Sequence, residues 1–168
     1  MKKLILLLVF FIVALHVCHA QSEKFKALFM YNFTKYIEWP PSVRQGDFII
    51  AVLGNSPMTK ELEIIAAKQK VGTQNIVVKT FNSVDEIDYC HILFVPASKS
   101  SLLAQIIEKV SGKSVLIITD KEGMASQGSG INYVKDGDRI KYELNKKSIE
   151  KRGMIVNSAL VTLGIPVN

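Results

Sequence analysis

The sequence predicts an α/β domain: a three-layer, Rossmann-like open sheet, mostly parallel, with an antiparallel hairpin at its C-terminal edge. Three observations predict it. The runs Phe48–Leu53, Ile92–Val95 and Val115–Ile118 are apolar at every position, as strands covered on both faces are. Segments with helical spacing and recognisable caps stand between them, which implies right-handed crossovers. The last third changes to an alternating pattern around Asp136-Gly137-Asp138, a hairpin signal.

Before the first of these elements stands Met1–Ala20. Lys2 and Lys3 precede an apolar run, Leu4–Leu15, and Cys18-His19-Ala20 offers a small residue before Gln21. This reads as a secretory signal peptide cut after Ala20, leaving residues 21–168 as one domain. An uncleaved anchor is the alternative, although the run is shorter than the roughly 18 residues a spanning helix wants. A lipoprotein ranks third, because His16 and Val17 stand where small residues are needed before Cys18.

The first helix is expected within Phe25–Pro40, with Ser22 as N-cap, Glu23 favouring the helix dipole, and Pro40-Pro41 as the stop. Phe25, Leu28, Phe29, Phe33, Tyr36 and Ile37 form its expected inner stripe. Phe48–Leu53 is the central strand. Ser56-Pro57 opens a helix with Met58, Leu62 and Ile65 facing in. Ile76–Val78 is the next strand, and Ser83 with Glu86 is spaced as a capping box for a turn of helix over Val84–Asp88. After Ile92–Val95, Ser98 or Ser100 caps a helix whose Leu102, Leu103, Ile106, Ile107 and Val110 face in, and Gly112 stops it. Val115–Ile118 follows, then a glycine-rich loop, Asp120–Gly130. Ile131–Lys135 and Arg139–Leu144 make the hairpin, the second strand an edge with one wet face. Asn145 caps a short helix ended by Gly153, and Ile155-Val156 with Leu160–Leu163 return apolar side chains to the core.

Composition excludes more than it suggests. The full chain carries a net charge of +6, or +4 without Lys2 and Lys3, and no zinc-finger spacing, basic helix or aromatic platform marks a nucleic-acid binder. Of two cysteines only Cys90 follows the leader, so the mature chain cannot form an internal disulfide. His91 is the one histidine left, which argues against zinc. On a strand, Cys90 and His91 point to opposite faces. Ser111-Gly112-Lys113-Ser114 ends like a phosphate loop but has Ile107 where the first glycine belongs and leads into a strand. No Gly-x-Ser-x-Gly elbow and no dinucleotide fingerprint is present. No catalytic residue, metal site or cofactor is expected.

Position therefore carries the site prediction. In open α/β sheets ligands bind beyond the carboxyl ends of the strands. Asn55, Ser56, Ser98 and Asp120 stand there and are the candidate ligand-binding residues, though caps and turns alone would account for them. Asp120-Lys121-Glu122 reads as a solvated turn. Trp39, the only tryptophan, is a packing residue or an exposed anchor for a partner protein.

The segments KALFMYNFTKYIEWP, FIIAVLGNSP, CHILFVPAS, GKSVLIITDKEG and GSGINYV, in this order and spacing, resemble the YfiR family from Lys24 to about Leu163. The resemblance implies a periplasmic, non-catalytic protein. Its relatives bind the periplasmic sensor part of an inner-membrane diguanylate cyclase and hold it inactive, or act beside a membrane histidine kinase. It also implies a tendency to form homodimers. Redox-sensitive disulfides feature in the family, and here Cys90 has no partner within the mature chain. Three functions stay open from sequence: a regulatory binding module, a small-molecule-binding sensor domain and, far behind, a hydrolase.

Overall fold

Five parallel strands in the order β4-β2-β5-β6-β7 form the body of the molecule. They are β2 (Phe48–Leu53), β4 (Gln74–Phe81), β5 (Ile92–Val95), β6 (Leu116–Thr119) and β7 (Ile131–Asp136). The computed structural model describes residues 21–137 and 139–167; the expected leader Met1–Ala20 and Asp138 of the hairpin turn lie outside them. Around this body run α1 (residues 21–33), the short β1 (Ile37–Glu38), α2 (Met58–Ala66) and β3 (Lys70–Val71). After β5 come α3 (Leu103–Lys109), β8 (Arg139–Leu144), α4 (Lys146–Glu150), β9 (Ile155–Val156), α5 (Ser158–Leu163) and β10 (Ile165–Pro166).

Two apolar clusters occupy the two faces of the sheet. Ile50, Val52, Ile92, Phe94, Leu116 and Ile118 face α1 and α2 in one cluster. Ala51, Leu53, Leu93, Val95, Val115 and Ile117 meet Leu103 and Ile106 of α3 in the other. Alternation along strands that are apolar throughout is what fills both sides. Cys90 packs in the second cluster, while the His91 ring stacks on Phe48 on the other side, although both residues stand just before β5 and not on it.

Several expectations are corrected. α1 ends at Phe33, and Ile37-Glu38 leaves the helix to pair antiparallel with Ile155-Val156. Its buried face is Ala27, Met30 and Phe33; Phe25 and Leu28 are 47% and 40% exposed. The expected stripe holds in part: Phe33 and Ile37 are buried and Phe29 and Tyr36 pack against the core, but Phe25 and Leu28 face solvent while the ion-paired Lys26 turns inward. Ser22 lies inside the helix and is not its cap. Val84–Asp88 forms bends and a turn, not a helix. Glu86 caps it differently, accepting from the Asn82 N–H at 2.9 Å. Ser98 and Ser100 cap nothing: Ala97–Leu102 is a 3-10 segment that runs into α3 without a side-chain cap. β8 is not the sheet edge along its whole length, because β10 pairs parallel with Glu143 and Leu144. Gly164 permits this approach; a Cβ there would lie 2.4 Å from the Tyr142 ring.

The last apolar stretch returns Val156 and Leu160 to the core but leaves Ile155 and Leu163 exposed; other elements follow the sequence reading. β2 and β5 have the expected bounds. Met58, Leu62 and Ile65 are the buried stripe of α2. Asn145 caps α4 by accepting from the Ser148 N–H at 2.9 Å.

Candidate functional site

The carboxyl ends of the strands hold the residues the sequence singled out, but not as one pocket. Ser56 is buried and its Oγ accepts from the Met58 N–H at 3.3 Å, which is a capping role. Asn55 beside it and Ser98 after β5 are exposed. The Lys99 side chain lies over Gly54, 3.1 Å from where a Cβ would stand, and so covers the crevice between β2 and β5.

Asp120 is drawn away from that crevice into an ion cluster under α1. Lys26 Nζ donates to Glu23 Oε1 at 2.8 Å and to Asp120 Oδ2 at 3.1 Å, with the Lys26 and Asp120 side chains only 13% and 14% exposed. Asp120 is therefore not the solvated turn residue expected. Its Oδ1 is buried without a hydrogen-bond partner among the described residues. Burial by itself would lower the Lys26 pKa, but Glu23 and Asp120 outweigh it and raise it above the ordinary lysine value. The Tyr133 hydroxyl donates to the Lys26 carbonyl at 2.7 Å. Burial, then Glu23 and Asp120, push that phenol well above its ordinary value. Lys26, Asp120 and Tyr133, with Glu122, Lys135, Ile140 and Glu143, line a cleft of about 480 Å³. Behind it a polar chain crosses the apolar sheet. Thr119 Oγ1 lies 3.0 Å from Ser129 Oγ and donates to Asn132 Oδ1 at 2.8 Å; Asn132 Nδ2 donates to Glu143 Oε2 at 2.8 Å. Thr119, Ser129 and Asn132 are fully buried.

The larger concavity lies at the opposite end, beside the first residues of β2 and β4. It holds about 600 Å³, and its walls are Thr34–Trp39, Arg44, Phe48, the turn Val71–Gln74, Ile155 and Asn157. Trp39 is not an exposed anchor: it is 4% accessible. Its ring meets Phe48 edge-on at 5.0 Å, and its Nε1–H donates to the His91 carbonyl at 3.3 Å. Trp39 reaches outside only as part of this groove. Ile155, 62% exposed, stands at its lip. Arg44 donates to the Trp39 carbonyl at 2.6 Å and pairs with Glu38, which folds the loop after Pro40 back onto the wall.

A family model described as YfiR/HmsC-like matches residues 23–164. The chain belongs to the YfiR/HmsC-like family. No curated protein matches it. The match takes in both concavities of this YfiR/HmsC-like domain, from Glu23 in the ion cluster to Asn157 in the groove. Among the described residues no three of His, Cys, Asp and Glu group to hold a metal, and no helix is long and apolar enough to cross a membrane. Cys90 is fully buried, and burial pushes its thiol up to about 12.

Sequence reasoning missed both the Lys26–Asp120 pair and the groove. Each joins residues far apart in the chain. Thr119 and Asn132, polar residues at the ends of apolar runs, were the one local sign of the buried polar chain.

Proposed function

We propose that this YfiR/HmsC-like chain is a periplasmic regulator that binds and represses an inner-membrane signalling protein, a diguanylate cyclase or a sensor histidine kinase. The observation that carries the reading is the family match over residues 23–164. The Trp39 groove is the docking surface: its aromatic floor is buried and packed edge-on against Phe48, Ile155 stands exposed at its lip, and Lys35, Glu38, Arg44 and Asn157 supply a polar rim. Repression then follows from tighter binding to the inactive form of the target than to the active one. The test is co-expression with a membrane diguanylate cyclase or histidine kinase that carries a periplasmic sensor part, reading cyclic di-GMP or kinase autophosphorylation. Expression of the chain lowers the signal, and Ile155→Glu restores it without unfolding the protein. An unchanged signal on expressing the wild-type chain overturns the reading.

A second reading, a small-molecule-binding sensor domain, is favoured by the cleft at Asp120, whose Oδ1 is left without a partner. Asn55, Ser56 and Ser98 stand outside that cleft. A thermal-shift screen of nucleotides, amino acids and peptidoglycan fragments tests it; a melting temperature that none of them moves refutes it.

A further inference from the structure

His91 holds the groove together from inside. Its ring is buried, stacked on Phe48 at 4.4 Å and set against Trp39 at 6.4 Å. Nδ1 faces the Ile49 N–H at 3.0 Å. A backbone N–H can only donate, so Nδ1 must be the unprotonated nitrogen. Nε2 then carries the proton and donates to the Val43 carbonyl at 2.8 Å. One ring thus ties the loop Pro41–Gly46 to the first residues of β2. The His91 backbone completes the knot. Its N–H donates to the Ile49 carbonyl at 2.8 Å, and its carbonyl accepts from Leu116 N at 2.8 Å and from Trp39 Nε1.

We propose that His91 is a protonation-sensitive latch: its neutral ring pins the Val43 loop against β2, and acid releases that wall of the Trp39 groove. A second proton can go only to Nδ1. There it meets the Ile49 N–H head-on, so two donors face each other and the bond to β2 is lost. Among the described residues the ring's polar partners are backbone groups, the Ile49 N–H and the Val43 carbonyl, and none is a carboxylate. On its own segment the ring meets Tyr89 at 5.0 Å, a neutral phenol whose hydroxyl is buried without a partner. From the loop, Arg44 is directed to Trp39 and Glu38. Asp47 is exposed, and Lys113 bonds the Asp88 carbonyl. Burial, opposed by the Val43 bond, holds the imidazole below its ordinary range. Apart from His91 the loop is held by Arg44, through Trp39 and Glu38, and weakly by Gln74 Nε2, which lies 3.5 and 3.4 Å from the Val43 and Gln45 carbonyls.

The latch is a property of the fold; its effect on a membrane target rests on the function proposed above. The experiment separates the two, because it needs no partner. Nitrogen-detected NMR of the full chain reads the tautomer directly, and Trp39, as the single tryptophan, reports the groove by fluorescence. The expected result at neutral pH is the Nε2–H tautomer of His91. On acidification Trp39 fluorescence changes in step with the His91 titration, while far-UV circular dichroism stays constant. The protection factor of the Ile49 amide, taken against its intrinsic exchange rate, then falls by up to roughly tenfold per pH unit as pH drops from the ordinary imidazole value toward the lowered value of the latched ring. His91→Gln removes the pH response of Trp39, and His16→Gln/His19→Gln retains it. An Nδ1–H tautomer, or a Trp39 signal flat from pH 8 down through the His91 titration in the wild type, overturns the proposal whether or not His91→Gln folds.

Discussion

Replacing Lys26 with methionine removes the cation from the cluster while keeping its apolar stem. Two charge-assisted hydrogen bonds disappear, at 2.8 Å to Glu23 and 3.1 Å to Asp120. The greater cost falls on Asp120. Its Oδ1 already lacks a partner, and the substitution leaves both oxygens of a largely buried carboxylate unpaired. Breaking one side of a buried pair costs about 3–5 kcal/mol, and an exposed pair contributes under about 1 kcal/mol. Side chains that keep 13% and 14% of their exposure fall between, so we expect a loss of about 2–3 kcal/mol. For a domain of this size that lowers Tm by roughly 5–10 °C. Asp120→Asn alone costs about 1–2 kcal/mol, since Lys26 keeps Glu23. The assay is a double-mutant cycle by urea unfolding. A coupling energy above about 1 kcal/mol is expected; one below about 0.5 kcal/mol, the range of exposed pairs, refutes the reasoning. The pH dependence has a definite sign. The folded pKa of Lys26 is raised, so its contribution is complete below the unfolded value near 10.4 and is lost as pH rises through the folded value. On the Lys26 side, the stability of the wild type relative to Lys26→Met therefore narrows in strong alkali.

The face of α1 is open to the same kind of test. Met30→Ala costs about 2–5 kcal/mol because Met30 is fully buried, while Phe25→Ala and Leu28→Ala stay within about 0.5 kcal/mol; equal effects would mean the helix is docked by another face. Cys90 is expected to resist thiol reagents at neutral pH in the native state and to react on unfolding, since its thiol is buried and its pKa is about 12; native-state labelling at the rate of a free thiol contradicts that.

What the sequence could disclose depended on the range of the interactions involved. The FIIAVL and ILFV runs identify themselves, because a strand covered on both faces is apolar at every position whatever its partners. The α2 stripe, the Asn145 cap and the hairpin are equally local. The docking face of α1 is not. Hydrophobicity alone chooses Phe25 and Leu28, and only Asp120, on another element, makes Lys26 an inward residue. Ile37-Glu38 continues the apolar spacing of a helix and becomes a strand because β9 arrives beside it. The site divides in the same way. Ser56, Ser98 and Asp120 do stand at the strand ends. The groove around Trp39 is assembled from four separate stretches, none of which has a distinctive sequence.

The β1–β9 pairing joins only two residues on each side, and those residues come from the first and last parts of the described chain. Closing so long a loop costs entropy that two rungs cannot repay, so this zipper must wait until the central strands have assembled. By the same reasoning it is among the first seams to part in the native protein, well below the free energy of global unfolding. One jaw of the Trp39 groove is thus fastened last and loosened first, and breathing there leaves the parallel sheet undisturbed.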